Sequence, residues 1–395
     1  MIRCLCAATA ACLLLACQGA ETQTLPLRRV TLMYSAAFSN LSASIAEDEK
    51  ELREGYIPSA GSNEVFLIYS HHTTRAGYYT PTNPVLERVY RGSDGKPRRD
   101  TITVYPSTDV SSTPEVLHKV LTEVKEKFPA PAYGLIFSSH ARGWLPIDYK
   151  EENPFLFSAG APRKEYPLTK WLGIENAEGS GIDIRDLADA IPMKLDYFVM
   201  DACLMGCVEV AYELRDKCRL LVVSPTEILS NGLIYSKMGL RLFHTDSPDL
   251  YQVSKDYYDY YMAQSGYYKS ATITLVDCTR MEPLVKVCSD IISAHRSGID
   301  AISRYAVQAY FYNELHWFYD LRDIFFNAGA TQAEMDRLDA ALAECILYKA
   351  ATPTFFDLEL ENVCGLSMYL PYPDRKELNS YYKTLSWNKA TGLIQ

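Results

Sequence analysis

The 395-residue sequence lacks several signatures, and each absence removes a class of function. No long basic run occurs and the net charge is -10, which argues against a nucleic-acid partner. No GxSxG nucleophile elbow is present, so a serine hydrolase of that type has no support. The cysteines show no Cys-x-x-Cys zinc spacing, and no EF-hand pattern occurs. There is no internal repeat at a solenoid period and no low-complexity segment. Only one apolar run stands clear of the fold, and it lies at the N-terminus. The body is therefore expected to be soluble and tethered.

That N-terminus reads MIRCLCAATAACLLLACQGAE, with Arg3 ahead of an apolar stretch from Leu5 to Ala16. The stretch is too short to span a bilayer alone but suits a secretory signal. It closes on Leu14, Leu15, Ala16 and Cys17, which resemble the lipobox of bacterial lipoproteins; Cys17 would then be the acylated N-terminus. The expected boundaries are 1-17 for the signal, 18-245 for an α/β core and 246-395 for a mainly helical region packed on it. Of the 11 cysteines, Cys203, Cys207, Cys218, Cys278, Cys288, Cys345 and Cys364 remain beyond the signal, and an odd number leaves at least one thiol free if the others pair. Most sit in apolar runs, as small buried hydrophobes do.

Along the chain, RVTLMYS (29-35) reads as a strand and SNLSASIAEDEKEL as a helix capped at Ser39 or Asn40. NEVFLIYSHH (63-72) is a second strand, and VLERVYRGSDGKPRRDTITVYP a hairpin turning at Ser93, Asp94 and Gly95. A helix opens at Thr113 and Pro114, and AYGLIFSSH (132-140) is a third buried strand. A loop at 141-181 carries Lys150, Arg163, Lys164 and Lys170, and is long enough to suggest function. DYFVMDACLMGCVEVAYEL (196-214) reads as a strand running to 200 and a helix over about 203-216. Beyond 245 the pattern is mainly helical, including ISRYAVQAYFYNELHWFYDLRDIFFNA and QAEMDRLDAALAECILYKA, with SATITLVD and CGLSMYLPY strand-like. The alternation is that of an α/β fold with apolar strands covered on both faces.

Two strand ends carry chemistry. Cys203 follows a buried strand, at the carboxyl edge where open α/β sheets place ligand sites, and the expected helix would lower its pKa and lend N-H groups to an oxyanion. His140 follows YGLIFSS in the same way, 63 positions earlier. His71 and His72 also end a strand and are the reserve partners; His118, His244, His295 and His316 have no thiol-facing logic. Asp201, two residues before the thiol, reads from its position as a cap of the helix that follows.

HARGW (140-144) and DACLMGCVEVAYEL (201-214) resemble the His and Cys motifs of the clostripain family of cysteine peptidases, relatives of caspases. FYDLRDIF (318-325) and CGLSMYLP (364-371) also resemble family segments, so the likeness covers most of the chain. It implies a caspase-like three-layer α/β sandwich around a mostly parallel sheet, and an endopeptidase cleaving after Arg or Lys. By that likeness Cys203 is the nucleophile and His140 the proton donor to the leaving amine. The backbone at Ala141 and Cys203 holds the oxyanion, and Asp201 receives the basic side chain. It further implies self-cleavage in the loop between His and Cys, no required cofactor, and calcium as an activator in some relatives. With Cys17 lipidated, the location would be the bacterial cell envelope. The chain departs from the family in carrying Ala141 where glycine usually follows the histidine, with the cation Arg142 next. If positive φ were needed there, the expectation becomes a weakly active or inactive lipoprotein that binds peptides in the same cleft.

Overall fold

The computed structural model describes residues 26-38, 40-75, 78-149, 166-170, 181-311 and 316-395. The signal with Cys17, and Lys150, Arg163 and Lys164 of the long loop, lie outside these residues. The chain opens with β1 (Arg29–Ala37), buried along its whole length, as a strand covered on both faces must be. Next come α1 (Ser42–Glu54), β2 (Glu64–Arg75), β3 (Tyr78–Pro81), β4 (Val85–Arg91) and β5 (Pro97–Val104). Thr113 caps α2 (Pro114–Lys127) with Pro114 in its first turn, as its sequence dictates. Then β6 (Ala132–Ser138), α3 (Ile184–Ala190), β7 (Leu195–Asp201), α4 (Val208–Glu213) and β8 (Cys218–Val223) alternate. The remainder holds α5 (Tyr235–Phe243), α6 (Leu250–Met262), β9 (Thr272–Asp277), α7 (Met281–Ala294), α8 (Arg296–Ala301), β10 (Tyr319–Asp320) and α9 (Leu321–Asn327). It ends with α10 (Gln332–Cys345), β11 (Ile346–Ala351), α11 (Lys376–Tyr382) and α12 (Ser386–Thr391).

One sheet organises these elements, in the order β11-β9-β8-β7-β6-β1-β2-β4-β5, with β3 pairing β2. β2, β1, β6, β7 and β8 are mutually parallel, and the outer strands on both sides run antiparallel. From β1 the chain steps to β2 on one side, while β6, β7 and β8 step away on the other. Right-handed crossovers in opposite directions put α1 on one face and the crossover helices α3 and α4 on the other. α1 packs on α5, and α5 on α6; α2, α3, α4, α12, α7 and α10 form the opposite layer. The change of direction at β1 and β6 opens a crevice at the carboxyl edge, where such sheets bind ligands.

The hairpin read from 85-104 is β4 and β5, with Gly95 at φ +76° in its turn. Three expectations change. The helix read from residue 302 onward breaks: after α8 the chain makes a short turn at Arg304–Ala306 and pairs Ala309 with Tyr319, and only α9 is helical. Its aromatic density matched helical spacing, but aromatics suit a pleated surface as well. The helix read through ILYKA stops at Cys345, because Ile346–Ala351 pairs antiparallel with β9. The cap expected at Ser39 or Asn40 is absent: α1 begins after Leu41 with no side-chain cap. The region beyond 245 carries α6 to α12, yet β9 and β11 extend the same sheet. Among the described residues no helix is long and apolar enough to cross a membrane.

Gly134 shows how tightly the central strands meet. It lies opposite Tyr197, and a Cβ there would sit 2.0 Å from the Tyr197 ring. The ring therefore lies across β6, and its hydroxyl reaches Thr31 Oγ1 of β1 at 2.6 Å. Gly134→Ala is expected to destabilise the fold by about 2 to 3 kcal/mol through overpacking. Tyr197→Phe should cost about 1 kcal/mol through one lost hydrogen bond. Urea denaturation midpoints of the two variants give the comparison.

Candidate active site

β6 and β7 are parallel neighbours with Ser138 opposite Asp201. Each chain continues two residues past that pair, so His140 and Cys203 occupy corresponding positions at the carboxyl edge. His71 and His72, the reserve candidates, lie within β2, which runs on to Arg75, on the far side of β1. There His72 faces Glu49 at 3.1 Å, and His71 is buried against Ser111 at 2.8 Å, burial pushing its pKa down to about 4.

The thiol does not open a helix. α4 begins at Val208 with Cys207 at its cap, and residues 202-207 form a loop in which Leu204 takes φ +61°. Gly206 permits this path, since a Cβ would lie 2.4 Å from the nitrogen of Pro225. The Leu204 and Gly206 N-H groups are committed to the carbonyls of Thr226 and Ser224 at 2.9 and 2.8 Å. Cys203 is fully buried, its sulfur accepting from the Ile228 N-H at 3.2 Å. Burial first, then the charge of Glu227, push the thiol well above its usual pKa against the pull of the Ile228 N-H. The helix-end activation expected of Cys203 is thus replaced by a neutral, covered thiol. The cap reading of Asp201 falls with it.

Ala141 has no positive φ; in HARGW that conformation belongs to Gly143, at φ +60°. A Cβ on Gly143 would meet the Phe318 ring at 2.5 Å and the Leu204 carbonyl at 2.7 Å. Trp144 anchors the turn, fully buried against Tyr369 and Tyr382. Arg142 donates to the carbonyl of Tyr149 at 2.8 Å within its own loop.

Asp201 lies on the floor of a pocket filled by the chain itself. Its Oδ2 accepts from Lys170 Nζ, from the Tyr235 hydroxyl at 2.7 Å and from Ser138 at 3.2 Å. The Lys170 ammonium also reaches Asp48 of α1 at 3.2 Å and Ser138 at 3.0 Å. Gly232, at φ +64°, closes the pocket; a Cβ there would sit 2.6 Å from Asp201 and 3.0 Å from Lys170 Nζ. Burial alone would push the ammonium down, but Asp201 and Asp48 outweigh it and hold its pKa above the ordinary value. Burial, against the pull of Lys170 and with Asp201 adding, pushes the Asp48 carboxyl up.

The backbone of Lys170 is held as a bound peptide would be. Its N-H donates to the Ile228 carbonyl at 2.8 Å, and the Ser230 N-H donates to Leu168 at 2.7 Å, around an antiparallel bridge of Thr169 with Leu229. Its carbonyl oxygen accepts from His140 Nδ1 at 2.8 Å, so that nitrogen carries the hydrogen. His140 Nε2 lies 2.7 Å from the Asn40 side-chain amide.

The structure thus gathers His140, Cys203, Asp201 and one of the four loop cations, Lys170, and adds groups the sequence reading missed. Asp48 had a signal: it lies on the buried stripe Ile45, Asp48, Glu49, Leu52, an acid at an apolar position. Ser138, Gly232, Tyr235 and Glu227 had none in their local patterns. Glu227 is buried beside the thiol, and burial raises its carboxyl to about 8 from an ordinary value of 4.5. The unfolded chain releases this proton at lower pH than the folded one, so its stabilising contribution is full below about 4.5 and lost as pH rises to about 8. Relative to Glu227→Gln, whose amide does not titrate, the wild-type unfolding free energy should fall across that window in urea denaturation.

Residues 33-392 match the clostripain family, peptidase C11. Clostripain of Hathewaya histolytica is 28% identical over 237 residues, 54% of this chain and 42% of that protein, so the chain spans under half the length of that relative. An inactive zymogen C11 protease from Parabacteroides distasonis superposes with TM-score 0.76 at 25% identity, over 93% of this chain and 99% of the other. A secreted C11 cysteine protease from Bacteroides thetaiotaomicron, iotapain, does so with TM-score 0.74 at 22% identity, over 93% and 99%, a likeness of fold. With its caspase-like α/β sandwich and a match along nearly its whole length, the chain belongs to the clostripain family of cysteine peptidases.

Proposed function

We propose that the protein is a cysteine endopeptidase cleaving after Arg or Lys, using Cys203 and His140, and that it processes itself after Lys170. The observation that carries this is the Lys170 ammonium buried on Asp201 while its carbonyl faces His140. A bound substrate would present its basic residue in the same way. Asp201 Oδ1 makes no hydrogen bond among the described residues, so a guanidinium could use both oxygens where lysine uses one.

In this mechanism Cys203 attacks the scissile carbonyl carbon and its thiol proton passes to His140. The oxyanion is held by the backbone N-H groups of Ala141 and Cys203. His140 then returns the proton to the leaving amine, and water releases the acyl group from sulfur. In the intact chain Lys170 occupies the pocket that a substrate needs, so cleavage of its own peptide bond frees the site. Among the described residues no group of three or more His, Cys, Asp or Glu side chains that could hold a metal ion gathers. The rival reading, a peptide-binding lipoprotein without turnover, rested on Ala141; with ordinary backbone geometry there, alanine carries no conformational penalty.

Fluorogenic peptides scanned at the residue before the cut test the proposal. Turnover should be confined to Arg and Lys, absent in Cys203→Ala, and reduced about a hundredfold in Asp201→Asn, which removes one member of a buried charge pair. Intact mass should show a cut after Lys170 in the wild type and none in Cys203→Ala. Turnover in Cys203→Ala, or equal rates after neutral residues, would refute the assignment.

The proposal extends to location, with Cys17 acylated and the protein held at the cell envelope. Cys17→Ser should move the protein from the membrane fraction to the soluble one and abolish incorporation of labelled palmitate.

A further inference from the structure

Glu227 has no part in the chemistry above, yet it is 1% exposed, no donor among the described residues meets its carboxyl oxygens with full hydrogen-bond geometry, and the Thr169 hydroxyl is the side chain that acts on it as a donor. A buried carboxyl without a partner is costly to keep. Its neighbours are committed: Thr226 Oγ1 lies 2.8 Å from Thr272 Oγ1, and Ile228 serves both Cys203 and Lys170 through its backbone. Two facts locate the carboxyl. Glu227 directly precedes Ile228, whose N-H holds the Cys203 sulfur at 3.2 Å, so its backbone lies next to the reacting sulfur. The group acting on its carboxyl is the Thr169 hydroxyl, which favours the ionised form. Thr169 precedes the lysine seated on Asp201 and pairs across the cleft with Leu229.

We infer that Glu227 forms the subsite for the residue preceding the basic one and selects a hydroxyl side chain, threonine or serine, at that position. This rests on the peptidase reading, since it takes the segment 168-170 as a bound substrate. Thr169 is the occupant in the intact chain. Its hydroxyl can approach the carboxyl as a donor, whereas an isosteric valine would seal the same oxygens from water with nothing to bond. A site built to bond a hydroxyl rejects the analogue that lacks one more strongly than a greasy pocket rejects a misfit. The Glu227 carboxyl, raised to about 8 by burial, can accept from a hydroxyl in either protonation state.

The test compares fluorogenic Leu-Thr-Lys, Leu-Val-Lys and Leu-Lys-Lys substrates on processed enzyme, with rates per active site titrated by a peptidyl acyloxymethyl ketone. The wild type should favour Thr over Val by roughly tenfold in kcat/KM, the equivalent of one unpaired buried group, expressed mainly in KM. Glu227→Leu should abolish or invert that preference, and Glu227→Gln, whose amide oxygen still accepts, should retain it. Equal rates for Thr and Val in the wild type, a preference for Lys over Thr, or an unchanged Thr preference in Glu227→Leu would overturn the assignment. Turnover of none of the three substrates would instead overturn the peptidase reading beneath it.

Discussion

A single buried ammonium, that of Lys170, holds the carboxyl edge of the sheet together. Removing charges from water costs several kcal/mol per ion, and the loss is recovered only where geometry and hydrogen bonding are complete. Here completeness draws on distant parts of the chain: Asp48 from α1, Ser138 from β6, Asp201 from β7, Tyr235 from the start of α5 and the positive-φ turn at Gly232. The pocket is therefore a consequence of the sheet order, because only adjacency of β6 and β7 brings Ser138 beside Asp201.

The same ammonium fixes the peptide that carries it. With the side chain seated and the backbone bonded to Ile228, the Lys170 carbonyl has one place to go, against His140. Ile228 is the pivot: its carbonyl takes the Lys170 N-H while its own N-H holds the Cys203 sulfur. Burial is the largest influence keeping that thiol neutral. Under the proposed mechanism, departure of the segment admits water to the pocket and relaxes that burial, so occupation of the pocket and quiescence of the sulfur have a common cause.

The central strands were legible because buried parallel strands give continuous apolar runs, and the polar residues ending them stood out. His140 and Cys203 were both visible in this way, and Asp201 through its motif. The helix after Cys203 was misread because VEVAYEL has a helical pattern that extends smoothly backward, and Gly206, the residue that interrupts it, is equally tolerated in a weak helix. Asp48 was visible in principle, as an acid on the stripe that also carries Ile45 and Leu52. Glu227 was not: it lies in irregular chain after β8, where no period exists to break. Lys170 was one cation among four in a long loop, and its choice depends on pairing with residues nearly 60 positions later, which no local pattern encodes.

The register of β6 against β7 ties recognition to reaction. Ser138 and Asp201 are the last paired residues of β6 and β7, and His140 and Cys203 follow them by two residues each in the chain beyond the sheet edge. Ser138 and Asp201 form the floor of the cation pocket, and His140 and Cys203 carry the candidate chemistry. A shift of one strand by a single residue would turn its polar set to the opposite face and dismantle both at once. The pocket acid and the thiol are thus not separate acquisitions that the fold happens to place nearby. They stand two residues apart, one at the last position of β7 and the other in the loop that continues it, and the long side chain of a basic residue spans the offset between the pocket floor and the carbonyl presented to the sulfur.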